Sequence, residues 1–465
     1  GLQVSPRVMQ SNGGAVTPGA VRRLPVNTFF SGPAGGVIGS RVVGLHVGRP
    51  NPITFDMGGT STDVCLIRDG APAQKSVREL GGFPVRTPSL DIHSIGAGGG
   101  SIAWVDAGGL LKVGPVSAGA QPGPAAYGRG GTQPTVTDVH VVLGRLNPHG
   151  LLGGRMAIYP DKAHTAIEQS ISERLHLDPI TAAAGILDIV NANMMGAVRV
   201  ISVEQGEDPR DFTLVAFGGA GPLHAADVAR TIGMRHVLVP PHPGLLSAIG
   251  MLHADVRGDF SLTRLVPAQA ASLAAINEGF AALRRQGEAW LAAEQTGEGS
   301  VTRQWRLDMR YLGQNSELSM ELDRDQLDAE ALRQVTTLFH QQHQMAYGYD
   351  MPDQLVEIAT LRLAITVARP TPPQTSVLQA GSVAQALRQQ RQVWFAETGF
   401  IPTPIYDREK LPVDTEVHGP CIVEQMDTTT VVPPQATLRL DALGYLHLHV
   451  EPFHVHFQGQ EGDET

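Results

Sequence analysis

The chain has 465 residues, of which 42% are hydrophobic and 17% are charged, and its formal net charge is −10. This length predicts two or three domains with separate cores, and the composition is typical of a globular protein. The acidic balance without a basic cluster argues against nucleic-acid binding, and the lack of an apolar run of roughly 18 residues argues against a membrane span.

The cysteine content and the start of the chain bear on its location. Cys65 and Cys421 are too few for a disulfide scaffold, so we expect both to be small core residues. No charged, then apolar, then small-residue signal segment opens the sequence, which favours a cytoplasmic protein. The sequence begins at Gly1 rather than Met, which fits a processed product, an excised piece or a partial sequence.

A helix rich in small residues is predicted near the start. Ser31-Gly-Pro-Ala-Gly-Gly36 leads into an apolar stretch from Val37 to Val47. Because glycine has no Cβ, we expect Gly35, Gly36 and Gly39 to let this helix pack closely on a neighbour.

The most informative segment is a predicted hairpin with strands at 53–55 and 64–67. Its turn holds two glycines and three hydroxyl residues, with one acid at each rim: Gly58, Gly59, Thr60, Ser61, Thr62, Asp56 and Asp63.

These residue types suit a polyphosphate. Bare glycine N–H groups let an anion approach, and each hydroxyl that donates to a charged oxygen in a sheltered site contributes roughly 1.5–3 kcal/mol. Carboxylate oxygens are ligands for Mg²⁺. The alternative is a tight hairpin turn that merely faces water, but such a turn needs none of this chemistry. We therefore predict a phosphate-binding hairpin, with Asp56 and Asp63 as catalytic candidates.

Short strands and glycine loops are predicted over 51–135. Ser94 to Ser101 nearly matches the dinucleotide fingerprint Gly-x-Gly-x-x-Gly, which is weak support for NAD binding, and no P-loop sequence occurs.

Asp138 follows a Thr-Val-Thr run and is a candidate metal ligand, as is Asp56. Asp138 and His140 are predicted to share one face of a strand.

Helices are predicted at 161–205, with a break at Asp178-Pro179 and a second helix from Thr181 to Val203. A buried strand at 212–217 then runs into a glycine turn and a helix at 223–232.

The glycine turn between that strand and that helix is a second candidate ligand site. A helix N-terminus presents N–H groups to an anion, and a backbone without side chains lets a flat base lie on it. The alternative is that the glycines serve only close packing. The residues are Gly218, Gly219, Ala220 and Gly221.

The remaining sequence predicts a strand at 237–239, a small-residue helix at 244–250, a linker-like turn at 255–259, helices at 272–296 and 326–347, strands within 303–322 and at 355–368, a surface excursion at 369–385 and a β-rich end at 391–450. We therefore divide the chain into a nucleotide-binding core at 1–255, an α+β domain at 256–368 and a β-rich domain at 386–465.

His447 and His449, followed by His454 and His456, are expected to form a polar strand face rather than a metal site.

Taken together and in this order, these motifs resemble the hydantoinase A / 5-oxoprolinase family, which includes ATP-dependent hydantoinases and homologous subunits of acetone and acetophenone carboxylases. The matching segments span nearly the whole chain: Met9–Gly14, Ser31–Gly36, Asp56–Asp63, Ser94–Ser101, Gly119–Tyr127, Pro134–Asp138, Ala216–Pro222, Tyr347–Tyr349 and Glu424–Thr430.

The resemblance implies an α/β chain with an actin/Hsp70/sugar-kinase-like (ribonuclease H-like) lobe. In that fold Asp56–Asp63 would be the second phosphate hairpin and Gly218–Gly221 the adenosine motif. The implied cofactors are ATP and Mg²⁺ (or Mn²⁺). The implied activity is ATP-dependent opening of a cyclic amide such as hydantoin or 5-oxoproline, and the alternative is a subunit of an ATP-dependent ketone carboxylase.

One departure affects the expected partners. Full-length family members begin with another glycine hairpin inside a leading domain of roughly two hundred residues, and this sequence contains no such hairpin. The resemblance implies a hydantoinase B-type subunit as a partner. For the missing hairpin, either a separate chain supplies it, or the sequence is truncated, or the product is inactive. A non-catalytic nucleotide-binding or assembly module is the remaining alternative.

Overall fold

The computed structural model describes residues 6–294, 299–370 and 381–452. They group into two compact units. Unit 1 contains Gly1–Ser31, Ser76–Ser89 and His253–Thr371, and unit 2 contains Gly32–Lys75, Leu90–Leu252 and Pro372–Thr465. The predicted domain boundaries at 255 and 368 stay a prediction. The β-rich end belongs to unit 2, the same unit as the predicted hairpin at 53–67.

The described strands are β1 Val8–Met9, β2 Ala15–Val16, β3 Pro52–Met57, β4 Thr62–Arg68, β5 Ala71–Pro72, β6 Gln74–Lys75, β7 Arg78–Leu80, β8 Phe83–Val85, β9 Ser89–Leu90, β10 His93–Ile95, β11 Ser101–Val105, β12 Leu111–Ser117, β13 Thr213–Phe217, β14 His236–Val239, β15 Val256–Pro267, β16 Val301–Tyr311, β17 Leu318–Leu322, β18 Val356–Val367, β19 Leu387–Phe395, β20 Gly399–Asp407, β21 Glu416–His418, β22 Cys421–Glu424, β23 Thr429–Val432, β24 Thr437–Leu440 and β25 Leu446–His449.

The described α-helices are α1 Pro18–Arg23, α2 Ser31–His46, α3 Val136–Val142, α4 Pro160–Ile167, α5 Glu173–Leu175, α6 Pro179–Ile201, α7 Gly221–Ile232, α8 Leu246–Leu252, α9 Leu273–Glu294, α10 Ala329–Tyr347 and α11 Val383–Ala386. A π turn at Glu168–Ser172 connects α4 to α5.

Unit 1 is an α+β unit. Its six-stranded sheet has the order β1-β2-β15-β18-β16-β17, in which the long strands β15, β18 and β16 pair antiparallel. Helices α9 and α10 supply apolar side chains to its core, including Phe280 and Phe339, both fully buried. The predicted turn at 255–259 is wrong: Asp259 lies inside β15, paired with Ala364.

Unit 2 carries a nine-stranded mixed sheet with the order β10-β4-β3-β13-β14-β25-β24-β21, to which β5 adds beside β4. At its centre β3, β13 and β14 run parallel. Because this centre is covered on both faces, β13 is buried along its whole length and is apolar after Thr213. The predicted strand–glycine turn–helix at 212–232 is confirmed by β13 and α7.

Helix α6 is central to the core of unit 2. Its residues Ile186, Val190 and Met194 are fully buried, and Asp178 caps its first turn by accepting from the backbone N–H groups of Ile180 and Thr181. By length and composition alone, Pro179–Gln205 could cross a membrane, a test that core helices also pass.

Helices α2 and α8 cross closely, as the small residues of α2 predict. A Cβ added at Gly35 would lie 2.5 Å from the carbonyl oxygen of Ser247, and one at Gly39 would lie 2.8 Å from that of Leu246. Glycine therefore sets the separation of these two helices.

Candidate functional site

The predicted hairpin is confirmed. β3 and β4 pair antiparallel, with Asp56 opposite Asp63 and Met57 opposite Thr62. The turn closes through a hydrogen bond of 3.1 Å from the Gly58 N–H to the Ser61 carbonyl. The two acids therefore stand next to each other at the base of a glycine turn.

The glycine segment 98–100 holds this turn in place. The Gly99 N–H donates to the Gly58 carbonyl at 3.0 Å, and the Gly100 N–H donates to the Gly59 carbonyl at 2.7 Å. A Cβ at Gly98 would lie 2.6 Å from the backbone nitrogen of Thr60. The near-match to a dinucleotide fingerprint is thus a backbone support for the hairpin, a role that its residue pattern did not reveal.

The second glycine motif lies beside the same hairpin. β13 runs parallel to β3 with Phe217 opposite Asp56, so both strands end together. The Ala220 N–H then donates to the Met57 carbonyl at 3.0 Å. Gly218 has a φ of +77°, and a Cβ there would lie 2.6 Å from Oδ1 of Asp56. Only glycine fits at that position, since both the backbone angle and the carboxylate exclude a side chain.

The two hairpin acids have raised pKa values. Burial, and to a smaller degree the neighbouring charge of Asp63, raises the pKa of Asp56 from 3.8 to about 7. Burial also raises the pKa of Asp63, although a hydrogen bond from Ser94 lowers it in part. Two carboxylates in this arrangement resist ionising together near neutral pH.

A cavity of about 890 Å³ opens above these elements within unit 2. The predicted residues that line it are Gly58, Gly59, Thr60, Gly219 and Ala220. Further lining comes from Gly99 and Gly100, from loops between 119 and 127 and between 146 and 156, and from the segment 424–429.

The other predicted site residues are not in the described lining: Asp56, Ser61, Thr62, Asp63, Asp138, Gly218 and Gly221. Thr62 is fully buried in β4, and its hydroxyl donates to the Ala97 carbonyl at 2.5 Å. That hydroxyl is therefore committed to the fold, and this corrects its predicted role as a phosphate donor.

The prediction that Asp138 lies on a strand is wrong. Asp138 lies in the first turn of α3, where it forms a capping box with Thr135, the residue that precedes the helix. Its carboxylate accepts from the Thr135 N–H and hydroxyl and from the N–H groups of Ala125 and Ala126, at 2.7–3.2 Å. Burial raises its pKa, and these hydrogen bonds lower it in part. This geometry gives Asp138 a structural role and does not favour the predicted metal site.

The histidines also serve structural contacts. His140 lies on α3 with its Nε2 2.8 Å from that of buried His224, and burial lowers the pKa of both rings. His447 contacts Asp441 at 2.7 Å, and His449 contacts Glu451 at 3.2 Å. His454 and His456 lie outside the described residues. Across the described part of the chain, no group of three or more His, Cys, Asp or Glu side chains is arranged to hold a metal ion.

The β-rich end supplies cavity residues that the sequence did not mark individually. Thr428 donates its hydroxyl to the Gly219 carbonyl at 3.1 Å, and the Gly244 N–H donates to Asp427 at 2.8 Å. The segment 424–429 is therefore fastened to the glycine motif. This segment is one of those on which the family resemblance rests, which indicated a functional role. No residue pattern within it predicted that it would line the cavity.

Comparisons with known proteins identify the family of the chain. Residues 2–260 match the family described as Hydantoinase/oxoprolinase, and residues 267–451 match the Hydantoinase/oxoprolinase C-terminal domain. The chain is similar to the caprolactamase subunit alpha of Pseudomonas jessenii, with 36% identity over 95% of this chain and 64% of that protein. It is also similar to 5-oxoprolinase 1 of Arabidopsis thaliana, with 30% identity over 96% of this chain and 36% of that protein.

Solved structures show the same relationship. The crystal structure of ATP-dependent caprolactamase from Pseudomonas jessenii gives a TM-score of 0.86 at 35% identity, covering 96% of this chain and 65% of that one. The nucleotide-free structure of acetone carboxylase gives 0.77 at 27% identity, covering 97% and 65%. The chain thus spans slightly less than two thirds of the caprolactamase subunit that it matches. It belongs to the hydantoinase/oxoprolinase family, with an α/β architecture.

Proposed function

We propose that this chain binds ATP and belongs to an ATP-dependent enzyme that opens a cyclic amide. The observation that carries the proposal is the hairpin turn Gly58–Thr60, which opens onto a cavity whose wall also contains Gly219 and Ala220. Two backbone surfaces free of bulky side chains therefore meet in one cavity, one with hydroxyl and N–H donors and one at the start of a helix.

The chemistry explains the need for ATP. An amide oxygen is a poor nucleophile and an amide nitrogen a poor leaving group. In the proposed reaction the ring amide oxygen attacks the γ-phosphorus, ADP leaves, and an O-phosphorylated imidate forms. Water then adds to the imidate carbon, and the C–N bond breaks with protonation of the nitrogen to give a ring-opened acyl phosphate. A second water hydrolyses the acyl phosphate to the ring-opened amino acid and inorganic phosphate. The protein supplies charge neutralisation and in-line geometry.

Asp56 and Asp63 fit a divalent cation at the phosphate end. Paired carboxylates with raised pKa values become easier to ionise when a cation stands between them and phosphate. Mg²⁺ (or Mn²⁺) there would neutralise developing phosphate charge. Asp56, next to the cavity turn and to Gly218, is the residue we propose to hold the ion or to orient the attacking oxygen.

The finer fold assignment is also a proposal. A hairpin followed by a parallel strand, a glycine turn and a helix corresponds to the second nucleotide-binding lobe of the actin/Hsp70/sugar-kinase group. The order β4-β3-β13-β14 and the closely crossing helices α2 and α8 support it.

We further propose that the chain acts with a hydantoinase B-type subunit, because several relatives carry the word subunit in their names. A ketone carboxylase subunit is the second candidate function. The acetone carboxylase structure supports it, since the same fold serves a protein that consumes ATP on a ketone.

The test is ADP release by the protein purified together with its second subunit. We expect release to depend on a cyclic amide from a panel of caprolactam, hydantoin and 5-oxoproline. Asp56→Asn should lower it by at least a hundredfold, the scale of losing a preorganised charge at a reacting centre, while Asp161→Asn, an exposed control on α4, should leave it unchanged. ADP release in Asp56→Asn equal to wild type would reject the role of Asp56. Release with acetone and bicarbonate but with no cyclic amide would favour the carboxylase.

A further inference from the structure

Three charged residues of the β-rich end meet at the cavity. Arg388 lies on β19, and Asp407 and Glu424 are the last residues of β20 and β22. β20 and β22 run parallel with Asp407 directly opposite Glu424. Strand-end residues of neighbouring parallel strands commonly face a ligand crevice, and all three residues line this cavity.

The two carboxylates hold the arginine. Nη2 of Arg388 lies 2.9 Å from Oδ2 of Asp407, and Nη1 lies 3.5 Å from Oε2 of Glu424. The side chains of Asp407 and Glu424 are only 9% and 7% exposed, whereas that of Arg388 is 45% exposed. The acids thus form a buried support, and the guanidinium is the part that a ligand can reach.

Glu424 is itself fixed from behind. Arg391 donates to its Oε1 at 3.0 Å and also to the Gly144 carbonyl at 2.8 Å. Asn147 donates to Oε2 at 3.5 Å. Because Glu424 is held by three side chains, it cannot swing into the cavity without breaking an ion pair between buried groups.

The charge at this end of the cavity does not suit phosphate. Four acids, Asp407, Glu409, Glu424 and Asp427, belong to the described lining, with two arginines, Arg155 and Arg388. Arg391 and Lys410 pair with Glu424 and Asp407 from outside the lining, and Arg388 is itself paired with both of these acids. At the hairpin the lining residues carry no charge and present N–H groups and a hydroxyl. A guanidinium already paired with two carboxylates offers little net positive charge to a triphosphate, whereas the hairpin turn offers N–H and hydroxyl donors. We therefore expect a nucleotide to lie with its phosphates at the hairpin and its base towards Arg388.

We propose that Arg388 is the base-contacting residue of the nucleotide site, with its guanidinium plane against the purine, and that Asp407 and Glu424 are its positioning residues. The inference rests on the proposed function. Arg388 is ion-paired with both carboxylates and its side chain is still 45% exposed, so its guanidinium is accessible to an aromatic base. Arginine stacks on aromatic planes in a way that lysine cannot reproduce.

The experiment compares ATP with inorganic tripolyphosphate, which has the phosphates but no base. Binding of each is measured by calorimetry on the protein in complex with its second subunit. We expect Arg388→Lys, which keeps the charge and loses the plane, to weaken ATP about tenfold, the scale of one stacking contact, and to leave tripolyphosphate unchanged. Arg439→Lys is the matched control, since Arg439 lies on β24 of unit 2 and forms an exposed ion pair with Asp414.

The positioning role is tested by Glu424→Gln. It should weaken ATP severalfold in the wild-type background and add no further loss in Arg388→Lys, because the carboxylate acts through the arginine. Melting temperatures of all variants separate binding effects from unfolding.

Each outcome supports or overturns the inference. Unchanged ATP affinity in Arg388→Lys overturns it, and so does an equal loss for ATP and tripolyphosphate, which makes Arg388 a phosphate ligand. In both cases wild-type ATP binding still supports the proposed function. If the wild type binds neither compound, the proposed function fails and the inference fails with it.

Discussion

Asp56 is the residue on which the proposed chemistry depends, and its ionisation affects stability. Its pKa is raised from 3.8 to about 7, so the folded protein disfavours the ionised form. The stability that the neutral form preserves is therefore fully present below the unfolded pKa of 3.8 and is lost progressively as the pH rises to about 7. A difference of one in pKa between the folded and unfolded states corresponds to about 1.4 kcal/mol.

A stability measurement as a function of pH checks this sign. Asp56→Asn cannot ionise, so its free energy of unfolding should exceed that of the wild type at pH 8, and the difference should shrink between pH 7 and pH 4. Urea unfolding at several pH values measures it. A difference that is constant with pH, or that grows as the pH falls, would contradict the raised pKa.

Thr60 and Thr62 lie two residues apart in the hairpin, and we expect the first to contact the ligand and the second to stabilise the fold. Thr60 lines the cavity, whereas the hydroxyl of Thr62 is buried and bonded to the Ala97 carbonyl. We expect Thr60→Ala to weaken ATP binding with little change in melting temperature. We expect Thr62→Ala to lower the free energy of unfolding by about 1–3 kcal/mol, because it leaves a buried carbonyl without its donor. The reverse pattern would show that Thr62, not Thr60, faces the ligand.

Residue types alone could not make that distinction. The acid–glycine–hydroxyl pattern predicts a phosphate-binding turn, and the hairpin with Asp56 opposite Asp63 is confirmed. Which hydroxyl faces the cavity depends on strand direction and on a neighbour at Ala97 that is distant in sequence. In the same way Asp138 looks like a metal ligand in sequence, but four donors from nearby loops surround it.

At the scale of elements, glycine determines how closely α2 and α8 approach. A Cβ at Gly250 would lie 1.8 Å from the Gly35 carbonyl oxygen and 2.6 Å from the Gly39 nitrogen. Backbone atoms cannot move aside as a flexible side chain can, so the helices would have to separate.

Gly250→Ala should therefore lower the free energy of unfolding by about 1–3 kcal/mol or more, the range for overpacking a core. Gly196→Ala on α6 is the control, since a Cβ there meets no atom within 4 Å. It should be neutral or stabilise the protein by up to about 1 kcal/mol through helix propensity. Thermal unfolding of both variants measures the contrast; equal effects would mean that the close crossing is absent.

Element positions were largely predictable because periodicity and glycine or proline breaks are local signals. The helices near 273–294 and 329–347 and the strand near 356–367 lie within a few residues of their predicted bounds. The predicted turn at 255–259 was wrong because its charged residues suggested a linker, whereas Arg257 and Asp259 pair with each other along β15.

At the scale of the whole molecule, the chain order does not follow the compact units. β24 and β25, near the end of the sequence, join the central sheet through β14, and the 424–429 segment lines the cavity. These contacts join residues that lie far apart in the sequence, and no local pattern specifies such pairing. The β-rich end is therefore part of the proposed site, and we expect changes at Arg388 to affect nucleotide binding although it lies far from the hairpin in sequence.

The central claim is that the turn Gly58–Thr60 binds the polyphosphate of ATP. A structure of the protein with its second subunit, determined with Mg²⁺ and a non-hydrolysable ATP analogue, tests it most directly. We predict that the β- and γ-phosphates lie against the backbone N–H groups of Gly59 and Thr60 and that the base lies towards Arg388. Nucleotide density elsewhere, with the turn bare, would contradict the claim.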